Sequence, residues 1–362
     1  MTWADSNYKH KKLVTIDKDK VAGDDTDFPV LVSITDSDLT NCLANGYDIK
    51  FYNDDEDTQL KHERQEWDSS TGKLIAHVKI PSISSTSDTL FYIYYEYSGE
   101  GSDQADPENV WDANFMMVQH MIDTTTSTIT DSTSNSNDGT KESANHPAVT
   151  TNGKIGDAQD FDGSQDYINC GTDSDLTQTG MTIELWCNTP ADMTDHAGLW
   201  TKGWDPGVYI NAGYATANKM AIYLNSGGAN SYYGNFFTIN DWMYFTLIVA
   251  TTTYAVYKDT VETNPWGGSE TFSGDPSNSD DLLIGSFTVA IPRYFDGIID
   301  EVRVSDVART ENWITTSYNS QDDPSAFMGF GSEEDVPITI KRAGLVYGLK
   351  ISRIVKPGRI GP

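Results

Sequence analysis

Asp300 and Glu301, in the run Ile299-Asp300-Glu301-Val302-Arg303, are adjacent acids of the type that glycoside hydrolysis uses. A retaining glycosidase needs two carboxyl groups about 5 Å apart, flanking the scissile bond. Consecutive residues of a strand point to opposite faces, so the pattern predicts that these two are separated. Glu184 shares a strand face with Trp186 but has no acid at i±2, and no E-x-D-x-x-E array occurs. Asp162 and Asp296, each in an FDG run, and Asp300, in IDE, suit a structural calcium ion. Calcium takes roughly six to eight oxygen ligands from carboxylates and carbonyls. The competing reading is that Asp-Gly turns satisfy their own backbone donors without any metal.

Aromatic side chains in glycine-rich surroundings suit sugar binding, because the C–H face of a sugar ring packs on an aromatic ring. Trp204 (KGWDPG), Tyr232 and Tyr233 (NSYYGN) and Trp266 (NPWGG) stand in such surroundings. The alternative is that they fold back onto the protein or meet another subunit. Trp111, Trp186, Trp242 and Trp313 fall in predicted strands or a helix and are expected in the core. The six histidines show neither H-x-H nor HExxH spacing, so no metal or general-base role is assigned to them. GxSxG, P-loop and GxGxxG motifs are absent. The three cysteines, Cys42, Cys170 and Cys187, are too few for a disulfide framework. They are expected as buried free thiols, with Cys170 and Cys187 the one pair close enough in sequence to bridge.

The elements that must position these residues read as strands. Lys12–Ile16, Phe28–Ile34, Ile49–Tyr52, Leu74–Ile80 and Thr89–Tyr95 are rich in β-branched and aromatic residues and are separated by turn signals. Leu74, Ala76, Val78 and Ile80 share one face by alternation, and Thr89–Tyr95 is apolar on both faces. A polar stretch, Ser98–Asn109, marks a boundary near residue 110. Further strands are predicted at Thr182–Cys187, Gly207–Asn211, Lys219–Leu224, Tyr244–Ala250, Thr253–Lys258, Asp281–Gly285 and Gly297–Ser305. The Ser/Thr/Asn-rich run Thr124–Thr140 reads as a long loop. A single helix is predicted over Thr310–Asn319, with Thr310 as its N-cap.

The chain has 362 residues with 24 Lys+Arg against 54 Asp+Glu, a formal charge of −30. That excess excludes a nucleic-acid backbone binder, which needs a basic surface, and disfavours an anionic membrane. The acids are 40 Asp and 14 Glu, and Asp favours turns over helix interiors. An aromatic content of 11% argues against disorder. The N-terminal residues contain no apolar stretch of a secretory signal, so no standard export signal is expected. The longest apolar run, around Met243–Ala250, is too short to span a bilayer. The last segment differs in kind. Val336–Pro362 holds six basic residues, Lys341, Arg342, Lys350, Arg353, Lys356 and Arg359, and no acid, leaving −36 (−30 − 6) on the rest. A cationic, strand-prone arm on an anionic body suits docking to an acidic partner surface, its own or a neighbour's.

Most of residues 1–334 can be compared stretch by stretch with known sequence patterns. The stretches FPVLVSITDSDL (28–39), GYDIKFYNDD (46–55), KHERQEWDSSTGKLIAHVKIPSIS (61–84), DTLFYIYY (88–95) and VWDANF (110–115) resemble a bacterial and archaeal domain of unknown function that precedes laminin-G-like domains. The stretches DSTSNSNDGT (131–140), GKIGDAQDFDGSQDYINCG (153–171), MTIELWC (181–187), YFDGIIDEVRVSDVARTENWI (294–314) and YNSQDDPSAFMGFGSEE (318–334) resemble the laminin-G-like, concanavalin A-like jelly roll. One departure is the usual Tyr-Val-Asp-Gly hairpin, which here reads Tyr257-Lys258-Asp259-Thr260. The resemblance implies an all-β protein of two β-sandwich domains: an N-terminal sandwich (1–110), a jelly roll (111–331) and a basic C-terminal tail (332–362). It also implies non-catalytic modules that bind glycans or proteins, sometimes with calcium. The resulting expectation is a non-enzymatic structural and recognition protein that forms homo-oligomers or assembles with other structural proteins. A virion surface component, such as a decoration, fibre or spike protein, is the favoured setting. A secreted or cell-surface glycan-binding adhesin is the alternative, and a carbohydrate-active enzyme is the third reading.

Overall fold

A computed structural model describes residues 3–141, 146–190, 196–203, 207–212, 219–225, 229–234, 236–263, 267–268, 270–272, 274–287, 293–342 and 345–349. The chain first forms seven strands: β1 (His10–Ile16), β2 (Asp25–Thr35), β3 (Lys50–Asn53), β4 (Gln59–Leu60), β5 (His62–Asp68), β6 (Lys73–Ile83) and β7 (Thr89–Tyr95). They make two antiparallel sheets, one containing the order β1-β7-β3-β4 and the other β2-β6-β5. The predicted alternation on β6 holds. Leu74, Ala76, Val78 and Ile80 point into the core with Phe51, Phe91 and Ile93. The opposite face of β6, carrying Ile75 and His77, is equally buried.

The second series is β8 (Phe115–Gln119), β9 (Thr128–Ile129), β10 (Gly139–Lys141), β11 (Ala148–Thr150), β12 (Ala158–Asp162), β13 (Ile168–Asn169), β14 (Met181–Asn188), β15 (Ala197–Gly203), β16 (Gly207–Ala212), β17 (Met220–Asn225), β18 (Ala229–Tyr233), β19 (Trp242–Val249), β20 (Tyr254–Lys258), β21 (Val261–Thr263), β22 (Gly267–Gly268), β23 (Leu282–Ile284) and β24 (Asp296–Ser305). One sheet runs β11-β12-β24-β14-β19-β20-β21 with β8 also on β24; the other runs β22-β18-β17-β16-β15-β23-β13-β10-β9. Ile183, Leu185, Cys187, Ile299, Val302 and Val304 of the first sheet meet Trp200, Ile210, Ile222 and Ile284 of the second in one core. At the β20–β21 hairpin Asp259 takes the positive φ (58°) that glycine usually supplies. Its carboxylate accepts from Tyr244 N on the neighbouring strand β19 at 3.0 Å, a cross-strand bond that holds the turn in place. The Ser/Thr/Asn-rich loop is tied down by buried Asp131, which accepts from the backbone N–H groups of Val118, Thr133 and Asn137.

Helix α1 (Glu311–Asp322) follows, with the Thr310 hydroxyl accepting from Trp313 N as its N-cap, then α2 (Pro324–Phe327). Strands β25 (Met328–Phe330) and β26 (Glu334–Asp335) both pair with β1, so the chain returns to complete the first sandwich. The sequence placed residues 328–331 with the jelly roll. Their hydrogen bonding attaches them to the other domain, a pairing across more than 300 residues that local pattern does not encode. The strand-prone tail forms a hairpin of its own, β27 (Ile338–Arg342) with β28 (Leu345–Leu349). Lys341 and Arg342 lie on β27, while Lys350, Arg353, Lys356 and Arg359 lie outside the described residues. All three cysteines are buried free thiols; burial pushes Cys170 up to about 12. Among the described residues, no helix is long and apolar enough to cross a membrane.

The polar stretch at the expected boundary is not a free linker. Arg64 on β5 holds Asp103 through two bonds of 3.0 and 2.8 Å, and Lys61 pairs with Asp106 at 2.5 Å. Val110 and Trp111 then enter a core that also contains Trp186, Tyr244, Trp313 and Ile314. The two sandwiches therefore share buried apolar surface, which is what makes them one unit.

Candidate functional site

The outward face of the sheet built on β14 and β24 is covered, and a bulge decides what lies beneath. From Glu184 to Trp186 on β14 is two steps, while their partners Arg303 and Asp300 on β24 are three steps apart. Glu301 takes a φ of 50° at that point. The extra residue breaks the period-two alternation. Ile299 and Val302 both remain in the core, so Asp300 and Glu301 both turn outward. The expectation that they lie on opposite faces is thus corrected.

Both acids are fully buried against the first sandwich. On β5 a matching irregularity leaves Gln65 without a partner on β6. Gln65 donates to Glu301 Oε1 at 3.1 Å and to the Ile155 carbonyl at 3.2 Å. His120 places Nδ1 2.8 Å from Glu301 Oε1 and Nε2 3.2 Å from Glu63 Oε2. Arg303 donates to Glu301 Oε2 at 2.7 Å and stands over the Trp111 ring at 5.1 Å. Trp111 and Ser132 donate to the two oxygens of Glu63 at 3.0 and 2.6 Å.

Burial opposes charge on His120, but Glu301 and Glu63 outweigh it and lift the ring to about 10. Burial would raise Glu301, yet His120 and Arg303 hold it well below the usual carboxylate range. His77 stacks on His120 with centroids 4.7 Å apart. Burial and then the His120 charge push it down to about 3, so it is neutral. Asp300 is pushed well above its ordinary value by burial and then by Glu301, and its Oδ2 accepts from Ile155 N at 2.9 Å. His77, His120 and Glu301 bring ligand atoms within 4.8 Å of one another. His120 and Arg303 flank the Glu301 carboxylate, so the group forms a buried ion network joining the two sandwiches.

The rest of this face is closed by α1. Trp186 donates to Gln321 at 2.9 Å, and Tyr244 donates to Glu184 at 2.6 Å beside Ser317. Every acid of the sheet interior that the sequence weighed for catalysis (Glu184, Asp300 and Glu301) is therefore sealed.

The other sheet presents its outer face away from the first sandwich. Ile168, Ile284, Trp200, Ile210 and Ile222 form one cross-strand row pointing into the core. The adjacent row, Asn169, Leu283, Thr201, Tyr209 and Tyr223, therefore lies on the outer face. Tyr209 and Tyr223 stack at 4.2 Å with 18° between planes, and Phe287 meets Tyr209 edge-on at 5.3 Å. Tyr223 is half-buried, while Tyr209, Leu283 and Phe287 are buried, so Tyr223 is the ring of this group that reaches solvent. The buried Thr201 hydroxyl has no hydrogen-bond partner among the described residues, so a polar group is expected against it.

The sequence had singled out other aromatics for this role. Trp204 and Trp266 lie outside the described residues, and Tyr232 lies on β18, paired with Gly267. Tyr233 belongs to the core: it is 1% exposed and donates to Glu270 at 2.9 Å. Of two adjacent strand residues one must face inward, which is why it is not a ligand-stacking ring. Trp111, Trp186 and Trp313 are buried, as expected, whereas Trp242, at the start of β19, is only partly buried against the same cluster.

Of the acids read as calcium ligands, Asp162 and Asp296 are cross-strand partners at the sheet end. Gly163 (φ 71°) permits this approach, since a Cβ there would sit 2.9 Å from Asp296 Cβ. Asp160 and Asp166 stand beside them, both raised by burial. Asp162 Oδ1 accepts from Ser164 N at 2.7 Å, the turn bonding that needs no metal. Asp300 does not join them. It lies four residues along β24, about 13 Å away at strand rise, with its carboxyl engaged by Ile155.

The architecture is that of an all-β protein in which a larger sandwich is fused by one face to a smaller one. Residues 162–315 match the model of the concanavalin A-like lectin/glucanases superfamily, and residues 45–136 match that of a domain of unknown function (DUF2341). The two matches fall in the order expected from sequence. No curated protein matches it significantly. Among solved structures it is similar to domain 4 of AbnA, a GH43 extracellular arabinanase from Geobacillus stearothermophilus, solved with arabinotriose (20% identity, 57% of this chain, 98% of that one, TM-score 0.43). It is also similar to Trypanosoma rangeli sialidase (12% identity, 73% of this chain, 44% of that one, TM-score 0.46). A third is the botulinum neurotoxin serotype D binding domain (9% identity, 57% and 51% covered, TM-score 0.43). The chain spans less than half the length of the sialidase.

Proposed function

We propose that this protein recognises carbohydrate without cleaving it, through the outer face of the nine-stranded sheet. The superfamily matched by residues 162–315 includes lectins, which bind sugars, and glucanases, which cut them. The observation that favours binding is the placement of the acids. Glu184, Asp300 and Glu301 are buried beneath α1 and the first sandwich, whereas the partly exposed Tyr223, backed by the buried Tyr209 ring, lies on the opposite sheet. A partly exposed tyrosine ring bordered by an amide side chain, here Asn169, is a composition that sugar sites use.

The basic C-terminal segment supports a further part of this reading. Its positive charge against a strongly acidic body suits attachment to an acidic protein surface, as in a particle such as a virion. Several attached copies would raise the avidity of a weak sugar site.

The test is a glycan array on the full chain, followed by chromatography of each bound glycan after prolonged incubation. Binding with intact glycans is expected. Absence of any bound glycan would remove the carbohydrate reading, and release of shorter sugars would remove the non-enzymatic one.

A further inference from the structure

We propose that His10, Glu333 and Asp335 bind a divalent metal ion of the zinc type, where the C-terminal segment leaves the first sandwich. His10 and Asp335 are directly opposed across β1 and β26, so backbone pairing fixes their approach. His10 Nδ1 lies 3.1 Å from Asp335 Oδ1 and 3.7 Å from Glu333 Oε1. The three ligand atoms all fall within 4.8 Å of one another. In a tetrahedral site with bonds of about 2.0–2.1 Å, ligand atoms stand roughly 3.3 Å apart. The two separations bracket that edge.

The surroundings prepare the ligands. His10 Nε2 is 3.2 Å from Glu96 Oε2. A proton held there toward Glu96 leaves Nδ1 with its lone pair facing two carboxylates. Among the described residues Nδ1 is buried without a well-aligned hydrogen bond, although Asp335 Oδ1 stands 3.1 Å away. Three electron-rich atoms converging in this way call for a cation between them. The carboxylate–histidine–metal relay is the arrangement that fixes ligand tautomer in zinc sites. Tyr95, itself fully buried, donates to Glu333 Oε2 at 3.1 Å and turns Oε1 toward His10. Asp335, 59% exposed, leaves an entry path and a fourth position for water. One nitrogen and two oxygens suit zinc or cobalt better than calcium, which takes oxygen ligands alone. The ion would clamp the root of the basic hairpin to β1.

The experiment uses the tag-free full chain, stripped with a chelator and titrated calorimetrically with Zn2+, with Co2+ absorption as a second readout. One zinc per chain and visible cobalt bands of tetrahedral intensity are expected. His10→Gln and Asp335→Asn should each weaken zinc at least tenfold while circular dichroism and melting stay those of a folded protein. Absence of zinc binding to the parent chain would overturn the proposal and leave a proton on Nδ1 instead. Folded variants binding zinc as tightly as the parent would equally overturn it, by placing the metal elsewhere.

Discussion

Glu301→Ala should lower the unfolding free energy by about 3–5 kcal/mol, the usual cost of removing one partner from a buried ion network. The substitution leaves His120 and Arg303, both buried, facing each other without the carboxylate that neutralises them. It also removes the acceptor of Gln65, which spans from the first sandwich to Ile155 in the second. Urea denaturation at pH 6 measures the loss. The pH dependence carries a separate signature. His120 is raised from 6.5 to about 10 by its two carboxylates against the opposing effect of burial. Its contribution is therefore complete below pH 6.5 and lost as pH rises toward 10. Glu301 and Glu63 are depressed below 4.5; their contribution is complete above that value and lost as pH falls. The network is thus strongest between pH 4.5 and 6.5. His120→Gln should flatten the alkaline decline. A variant retaining the parent's slope between pH 6.5 and 10 would show that His120 is not the group responsible.

Trp186→Ala should cost about 3–5 kcal/mol, the range for emptying a large buried aromatic site. The indole is 1% exposed. It donates to Gln321, stacks on Tyr318 at 5.5 Å and lies 4.9 Å from Tyr244, with the Lys154 ammonium 4.4 Å over its ring. It belongs to the apolar cluster that runs from Phe28 and Val78 of the first sandwich through Phe115 to Trp313 of α1. The damage should therefore be felt in both sandwiches. Calorimetry of the parent chain is expected to give one cooperative transition, displaced as a whole in the variant. Two parent transitions, with only the second moved by Trp186→Ala, would mean that the sandwiches fold independently.

How far the sequence led depends on whether local period or distant pairing decides a position. Alternation on β6, the Thr310 cap of α1 and the burial of Trp111, Trp186 and Trp313 follow from neighbours a few residues away, and all were legible. The outward turn of both Asp300 and Glu301 was not, because one extra residue in a bulge reverses every parity downstream of it. Glu63, Gln65, His77, His120 and Glu301 come from separated segments, and no spacing motif could have gathered them. Tyr209 and Tyr223 were overlooked for a different reason. They sit inside ordinary alternating strands rather than in glycine-rich loops, and their pairing needs the β16–β17 register. The parity of Tyr232 and Tyr233 could have been used: adjacent strand residues cannot both face a ligand, and Tyr233 is the one turned inward.

Calorimetric titration of the best array glycan into the parent chain and into Tyr223→Ala tests most directly which face holds the sugar. Tyr223 is half-buried and its truncation leaves the ion network and the Trp186 contacts intact. A loss of affinity of at least tenfold, with unchanged melting and no shortened sugar in the cell, is the expected result. Equal affinity in the two proteins, or cleaved product with either, would contradict a binding site on the outer face of the nine-stranded sheet that holds its ligand without altering it.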